Sequence, residues 1–235
     1  MRINNKNYTL NYGADKFFDQ LLLRHRKNMF NKISRFVDIY SFESILDIGS
    51  TSDTGLASNM FLHFFSEFNV VSISDQVIPA EVRDKFPHVK FIKGDALRLD
   101  YPEKHFDLVF SNATLEHVGG ISNQSTFIKE AVRVSKKSTI IIFPNRWFPI
   151  ETHTKLPLIH FLPNRIHRKI LKAIGYHELA LEKNLNIPTK RQVINLMKNL
   201  NLVAFKIHKI NFLYFTSNLV IEISHQKSFV QNRKK

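Results

Sequence analysis

Acidic residues and a glycine follow short apolar runs at three points of the sequence. Asp47 and Gly49 close the run ESILDIG, Asp75 follows NVVSIS, and Asp95 follows VKFIKG. A glycine at the turn from a strand into a loop lets the backbone approach a ligand closely, and a carboxylate accepts hydrogen bonds from hydroxyl or amino groups. A helix after the first run would add free N–H groups. These residues predict a ligand site at the ends of successive strands.

A second group of polar residues follows the apolar run FDLVFSN. Ser111 and Asn112 end this run, and Glu116 and His117 come shortly after it. Because the unperturbed pKa of histidine lies near neutrality, His117 is suited to remove a proton from a bound acceptor. The alternative is that His117 packs at a helix start as a structural residue.

The elements that position these residues alternate between strand and helix. Strands are predicted at ESILDIG, NVVSIS, VKFIKGD, FDLVFSN and STIIIFP, and helices at LASNMFLHFFSEF, near PAEVRDKF and at STFIKEAVRVS. Nearly continuous apolar strands separated by helices are typical of a parallel sheet that is covered on both faces and binds ligands at the carboxyl ends of its strands.

The two ends of the chain complete this pattern. Residues 1–40 are expected to form an N-terminal helical segment, because DKFFDQLLLRHRKNMFNKISRF has helical periodicity. A helix over TKRQVINLMKNL, with Thr189 as its N-cap, precedes LVAFKIHKI and FLYFTSNLVIEIS, which predict an antiparallel hairpin. We therefore predict a single α/β domain over residues 1–235: a Rossmann-like, doubly wound, mostly parallel sheet of seven strands. The basic tail 226–235 is expected to be disordered.

The order of these segments resembles the class I S-adenosylmethionine-dependent methyltransferases, specifically the small-molecule type with a methyltransferase domain 11. The resemblance rests on Asp47-Ile48-Gly49, Ser74-Asp75, Gly94-Asp95-Ala96 and FDLVFSNATLEHV at 106–118. It implies S-adenosylmethionine as the cofactor. Its methionine part would lie on the loop after the first strand, its ribose on Asp75 (or on Ser74, if the register differs by one) and its adenine on Asp95. The cofactor residues that it implies are Asp47, Gly49, Ser50, Thr51, Asp75, Asp95, Ala96, Ser111 and Asn112.

The loop after the first strand departs from the family pattern. Thr51 and Asp53 stand where the second and third glycines are usual, and the next glycine is Gly55. This departure leaves open an alternative, a methyltransferase-like domain without catalysis that serves as a basic RNA- or membrane-binding module. A nicotinamide-dependent oxidoreductase is disfavoured because the loop lacks G-x-G-x-x-G.

Residues 144–186 interrupt the rhythm with four prolines and predict a lid inserted after the fifth strand. The stretch PNRWFPIETHTKLPLIHFLP resembles a bacterial subgroup associated with surface-polysaccharide or lipid-linked sugar pathways. It implies methyl transfer to O or N of a small or glycan-like acceptor, and the implied substrate residues are Glu116, Asn145, Arg146 and His153. A packed lid with surface charges is the alternative. Glu151 and His153 also suggest a metal, but no third ligand lies nearby in sequence, so we expect none.

Charge is distributed unevenly along the chain, whose net charge is +14. Residues 1–150 carry 19 basic against 16 acidic side chains, whereas residues 151–235 carry 15 against 4. An amphipathic basic segment, LIHFLPNRIHRKILKAIGY, lies in the second part. An anionic membrane surface and nucleic acid therefore stay open as partners beside a small-molecule substrate, and simple packing or solubility is the alternative.

The sequence has no cysteine, which excludes disulfides, Cys-ligated zinc and a thiol nucleophile. Its start lacks the apolar core of a secretory signal, and no apolar run has the length of a transmembrane helix. We therefore expect a cytoplasmic protein, with peripheral attachment at the membrane surface as an open possibility.

Overall fold

A computed structural model describes residues 16–55, 58–202 and 204–225 of the chain. The expectations for residues 1–15 and for the tail 226–235 lie outside these ranges. The α-helices are α1 (Lys16–Ile33), α2 (Ala80–Lys85), α3 (Ile121–Val134), α4 (Asn164–Ala173) and α5 (Lys190–Asn199). The strands are β1 (Ser44–Ile48), β2 (Asn69–Ser74), β3 (Val89–Lys93), β4 (Phe106–Asn112), β5 (Ser135–Pro144), β6 (Phe205–Phe212) and β7 (Phe215–Ser224). Short 3₁₀ helices cover Ile39–Ser41, Met60–Phe65 and Ile159–Phe161.

The seven strands form one sheet in the order β3-β2-β1-β4-β5-β7-β6. Neighbours from β3 through β5 pair in parallel, and β7 pairs antiparallel with both β5 and β6. The predicted α/β class, the mostly parallel sheet and the C-terminal hairpin are confirmed. The order reverses at β1 and β4, and the carboxyl ends of these two strands are the place where this class of sheet binds ligands.

The central strands are buried on both faces, as their continuous apolar sequences predict. In β4, Leu108, Val109 and Phe110 are all inaccessible to solvent although alternate side chains point to opposite faces. On one face these strands pack with α1 and the 3₁₀ helix Met60–Phe65, through residues such as Ile33 and Phe65. On the other face they pack with α3 and α5. Apolar burial on both sides fixes the sheet and therefore the strand tips.

The connection after β1 differs from the prediction. The sequence LASNMFLHFFSEF predicts an α-helix, but the residues of this stretch that are described form only the 3₁₀ helix Met60–Phe65. Asn59, directly before it, is left-handed, with φ 53° and ψ 20°. Its side chain accepts a hydrogen bond from Thr51 N (2.9 Å) and donates one to Thr51 O (2.8 Å). A left-handed residue interrupts a right-handed helix, so the amide side chain of Asn59, and not a helix N-terminus, organises this loop.

The segment after β5, for which we keep the name lid, consists largely of turns, the 3₁₀ helix Ile159–Phe161 and α4. It returns to the sheet through α5, and Thr189 caps this helix as predicted: its hydroxyl accepts from Gln192 N, and the Gln192 side chain accepts from Thr189 N. Among the described residues no helix is both long and apolar enough to cross a bilayer.

Asp107 joins the start of β4 to the segment before β1. Its carboxylate accepts a hydrogen bond from Glu43 N (2.9 Å) and lies 3.3 Å from Lys137 Nζ. Burial alone would raise the pKa of this carboxyl, but the Glu43 hydrogen bond and the charge of Lys137 outweigh it and lower the pKa below its ordinary value.

The Asp107→Asn variant tests this anchor. Because the folded pKa is lowered, the charged form favours the folded state. Its contribution is complete above the unfolded pKa and is lost as pH falls through the folded pKa. We expect the variant to lose about 1 kcal/mol of unfolding free energy at neutral pH, and the difference from wild type to vanish in acid. Chemical denaturation across pH measures this. A difference that does not change with pH would contradict the charge-based account.

Candidate functional site

A cavity of about 670 Å³ opens at the carboxyl ends of β1 and β4. The loops after β1 and β4 line it together with the start of the lid, and the part lined by the lid is its far end. One face of α1 and the beginning of β7 close the sides. This volume suits a small molecule or cofactor.

The loop after β1 lets the backbone line the cavity directly. Gly49 has φ +106°, a conformation that side chains disfavour, and a Cβ at this position would overlap with the Thr114 hydroxyl. That hydroxyl donates to Ile48 O at 3.0 Å, so it is fixed. Only glycine fits between the two strand tips.

Buried polar groups hold the same loop in place. The Asp47 carboxylate accepts hydrogen bonds from Ser50 Oγ (2.8 Å) and Ser72 Oγ (2.7 Å), and the two hydroxyls also contact each other. Burial raises the pKa of Asp47 against these hydrogen bonds. This network ties the loop to β2, and it presents Ser50 and Thr51 to the cavity.

The structure brings together five of the residues to which the sequence assigns cofactor binding. The cavity is lined by Asp47, Gly49, Ser50, Thr51 and Asn112.

The other four assigned cofactor residues lie outside the cavity wall. Asp75 and Asp95 are exposed, beyond the tips of β2 and β3, and Asp95 accepts a hydrogen bond from Leu97 N. Ala96 packs against the apolar cluster near α3, and Ser111 is buried with its hydroxyl donating to Ile48 O. Gln76, one residue after Asp75, does line the cavity.

At the far end of the cavity, a tight turn in the lid fixes His153. The Glu151 carboxylate accepts from His153 N (2.9 Å), from Thr154 N and from the Thr154 hydroxyl (both 2.7 Å). It also lies 2.7 Å from His153 Nδ1. Burial opposes ionisation of Glu151, but the contacts with His153 prevail and lower its pKa to about 2. For His153, burial on its own would lower the pKa. The contact with Glu151 has the larger effect, so the pKa of His153 is raised.

His117 lies behind this turn, and its ring is not part of the cavity wall. Its Nδ1 lies 2.7 Å from the carbonyl oxygen of Asn184, and because a carbonyl only accepts, Nδ1 carries the proton. Its Nε2 faces His153 Nε2 at 3.0 Å. Burial, and then the neighbouring charge of His153, lower the pKa of His117 to about 4. Both ring nitrogens are therefore engaged, and the ring is neutral.

Glu116 lines the cavity beside these histidines and is inaccessible to solvent. Neither carboxylate oxygen has a hydrogen-bond partner. Burial raises the pKa of Glu116 to about 7, against the opposing charge of His153. The carboxylate, His117 and His153 bring ligand atoms within 4.8 Å of one another. The fold thus brings two candidate ligands from the loop after β4 to His153, which the pair Glu151 and His153 in the sequence does not indicate.

Asn145 and Arg146 hold the lid and do not face the cavity. The Asn145 side chain donates to Thr216 O at 2.8 Å, and its backbone N donates to Ser217 O at 2.8 Å. The Arg146 guanidinium donates to Leu162 O at 3.1 Å on the far side of the lid. Of the four predicted substrate residues, Glu116 and His153 line the cavity.

The sequence did not predict that α1, Phe148 at the start of the lid and the C-terminal strands would line the cavity. His25 of α1 lies 3.1 Å from Ser217 Oγ and 3.4 Å from Asn218 Oδ1. Phe148 and Phe212 add an aromatic side. The helical periodicity of α1 indicates a packed face, but no local signal shows that part of this face borders a cavity.

The chain was compared with protein families, with curated proteins and with solved structures. The model of the methyltransferase domain family matches residues 46–143. No curated protein matches the sequence significantly. Among solved structures, the chain is similar to magnesium protoporphyrin IX methyltransferase from Synechocystis PCC 6803, at 11% identity and TM-score 0.57, with 91% of this chain and 90% of that chain covered.

Two further structures have the same fold. A Burkholderia thailandensis 1,6-didemethyltoxoflavin-N1-methyltransferase, solved with bound 1,6-didemethyltoxoflavin and S-adenosylhomocysteine, is 13% identical with a TM-score of 0.54, covering 90% of this chain and 81% of that one. A SAM-dependent methyltransferase from Aquifex aeolicus is 14% identical with a TM-score of 0.51, covering 77% and 81%. At these identities the likeness shows the fold alone.

The pair Gly49→Ala and Gly175→Ala tests the close approach at β1. Both glycines have positive φ, but a Cβ at Gly175 meets nothing within 4 Å. Both variants therefore carry conformational strain of about 1 to 2 kcal/mol, and only Gly49→Ala adds the overlap with Thr114. We expect a clearly larger loss of unfolding free energy in Gly49→Ala. Equal losses would show that the Thr114 contact does not constrain the loop.

Proposed function

We propose that this chain, as a class I S-adenosylmethionine-dependent methyltransferase, transfers a methyl group to an acceptor. The acceptor is small or glycan-like, and the methyl group goes to an O or N atom. The family assignment combines the methyltransferase domain over residues 46–143 with the sheet order. One observation carries the proposal: a single cavity joins the loop after β1 to the polar groups Glu116, Glu151 and His153.

The loop after β1 fits the methionine part of the cofactor. Gly49 leaves the backbone bare, and Ser50, Thr51 and Asn112 offer polar atoms along the same wall. S-adenosylmethionine supplies an electrophilic methyl group on a sulfonium. We place its nucleoside towards Gln76, with Asp75 and Asp95 at the solvent edge.

The far end of the cavity suits an acceptor with hydroxyl or amino groups. Methyl transfer is an in-line displacement, so the protein mainly aligns the acceptor with the methyl group and keeps water away. Glu116 and His153 lie on the wall, while Phe148, Ile150 and Phe212 form an apolar side. We assign contact with the acceptor to Glu116 and His153. His117 holds the His153 ring in place from behind.

The same features favour catalysis over a non-catalytic RNA- or membrane-binding module. Thr51 and Asp53 replace glycines, yet neither blocks the cavity. Thr51 is bonded to Asn59, and Asp53 accepts hydrogen bonds from Gly55 N and the Ser58 hydroxyl. The departure from the glycine-rich pattern is thus compensated within the loop.

Calorimetric titration with S-adenosylmethionine and S-adenosylhomocysteine tests the cofactor proposal. We expect both to bind, and Asp95→Ala to weaken binding by about 0.5 to 1.5 kcal/mol if its exposed carboxylate accepts from the adenine amino group. Asp100→Ala, which removes another exposed carboxylate five residues away, is the matched control and should bind as wild type does. Heats indistinguishable from buffer for the wild type would overturn the function, and an unchanged Asp95→Ala would move adenine elsewhere.

A lipid-linked acceptor is the finer form of the proposal, and the lid surface supports it. Ile166, Ile174 and Trp147 are each about half exposed. Arg165 and Lys169 are exposed on α4, the helix that also carries Ile166. Apolar side chains edged with cations are suited to the interface of an anionic membrane.

Vesicle co-sedimentation tests this finer form. We expect binding to vesicles that contain anionic lipid and weaker binding as salt rises, because cation–headgroup attraction is screened. Replacing Ile166 and Lys169 together by Ser should reduce binding, whereas the pair Glu81→Ser and Arg83→Ser on α2 serves as a control. Binding to neither kind of vesicle would favour a soluble acceptor, and salt-sensitive binding to RNA alone would revive the module hypothesis.

A further inference from the structure

The two histidines at the far end of the cavity are oriented like ligands of one central ion. His117 and His153 come from the loop after β4 and from the lid, and their Nε2 atoms face each other at 3.0 Å. The rings are nearly perpendicular, at 83°. In neutral rings with protonated Nδ1 atoms, two lone pairs would meet at this distance, so a cation is needed between them.

Acceptors on the opposite side of each ring fix this orientation. His117 Nδ1 donates to Asn184 O at 2.7 Å, and His153 Nδ1 lies 2.7 Å from Glu151 Oε1. Histidines that bind metals usually donate their other N–H to a backbone carbonyl or a carboxylate, which fixes the tautomer and the ring plane. Here one histidine uses each kind of acceptor.

Glu116 distinguishes between the two cations that fit, a shared proton and a metal ion. A proton between the histidines satisfies both rings but leaves the Glu116 carboxylate buried without a hydrogen-bond partner. Leaving such a group unpaired is costly. A metal ion within reach of all three side chains gives the carboxylate a partner as well, because their ligand atoms lie within 4.8 Å of one another.

We propose that Glu116, His117 and His153 bind a divalent transition metal ion, with zinc as the best match to two imidazoles and one carboxylate. Three protein ligands leave a coordination position for an exogenous group, and Glu116 and His153 place this position at the cavity wall. An acceptor hydroxyl bound there would have a lowered pKa. This role rests on the proposed methyl transfer, but metal binding itself does not.

Metal titration of the full chain, purified without a histidine tag and stripped with a chelator, tests the site. We expect one Zn²⁺ or Co²⁺ per chain by calorimetry, and visible d–d absorption bands from bound Co²⁺. Glu116→Gln and His153→Gln should each weaken binding by at least about 10-fold, and Glu151→Gln, which orients His153, by about 10- to 100-fold. His63→Gln, an exposed histidine outside the cavity, is the control and should bind as wild type does.

Two results would overturn the site: no saturable binding of either ion to the wild type, or unchanged binding in folded Glu116→Gln and His153→Gln. If these variants fail to fold, X-ray absorption of the Co²⁺-loaded wild type decides the question, because it must show two imidazole ligands. S-adenosylmethionine titration of the stripped protein keeps the two proposals apart. Cofactor binding without metal binding refutes only the site, and metal binding without cofactor binding refutes only the methyl transfer.

Discussion

A chain of close polar contacts across the lid holds the candidate site together. It runs from Glu151 to His153, on to His117 and then to the carbonyl of Asn184. Glu151, His153 and Asn184 belong to the lid, and His117 belongs to the loop after β4. A second link, from Asn186 N to Glu116 O at 2.7 Å, reinforces the same junction. The far wall of the cavity therefore depends on the side chains to which we assign contact with the acceptor, so we expect substitutions here to affect lid position and acceptor contact together.

The buried carboxylates of the cavity differ in whether they have hydrogen-bond partners. At the β1 end, the carboxylate of Asp47 receives hydroxyl hydrogen bonds and serves as a fixed strut. At the lid end, Glu151 is fully engaged in the same manner, whereas Glu116 is left without a partner. A buried, unpaired carboxylate lowers stability, and such cost is commonly concentrated where a protein binds or reacts. The contrast supports the proposal that an external group binds at the lid end of the cavity.

Local patterns in the sequence predicted most of the fold but only part of the site. Strand β4 and the Thr189 cap follow from apolar runs and from capping chemistry, which act over a few residues. The failure after β1 came from Asn59, whose side chain bonds a residue eight positions earlier and so outweighs helical periodicity. The meeting of His117 with His153, 36 residues apart, is set by how the lid folds back, and no spacing rule encodes it. Asn145 and Arg146 have the polar character of site residues, yet they bond to the backbone elsewhere.

The contact between His25 and the start of β7 has a consequence for how the protein reaches its native state. These groups are separated by 192 and 193 residues, and they close one side of the cavity. β7 also lies in the sheet between β5 and β6, so β5 has a free edge until that last strand docks. Contacts of such high contact order form slowly, because a long loop must be ordered before they give any stabilisation. We therefore expect this side of the cavity, and with it the complete binding site, to form late in folding.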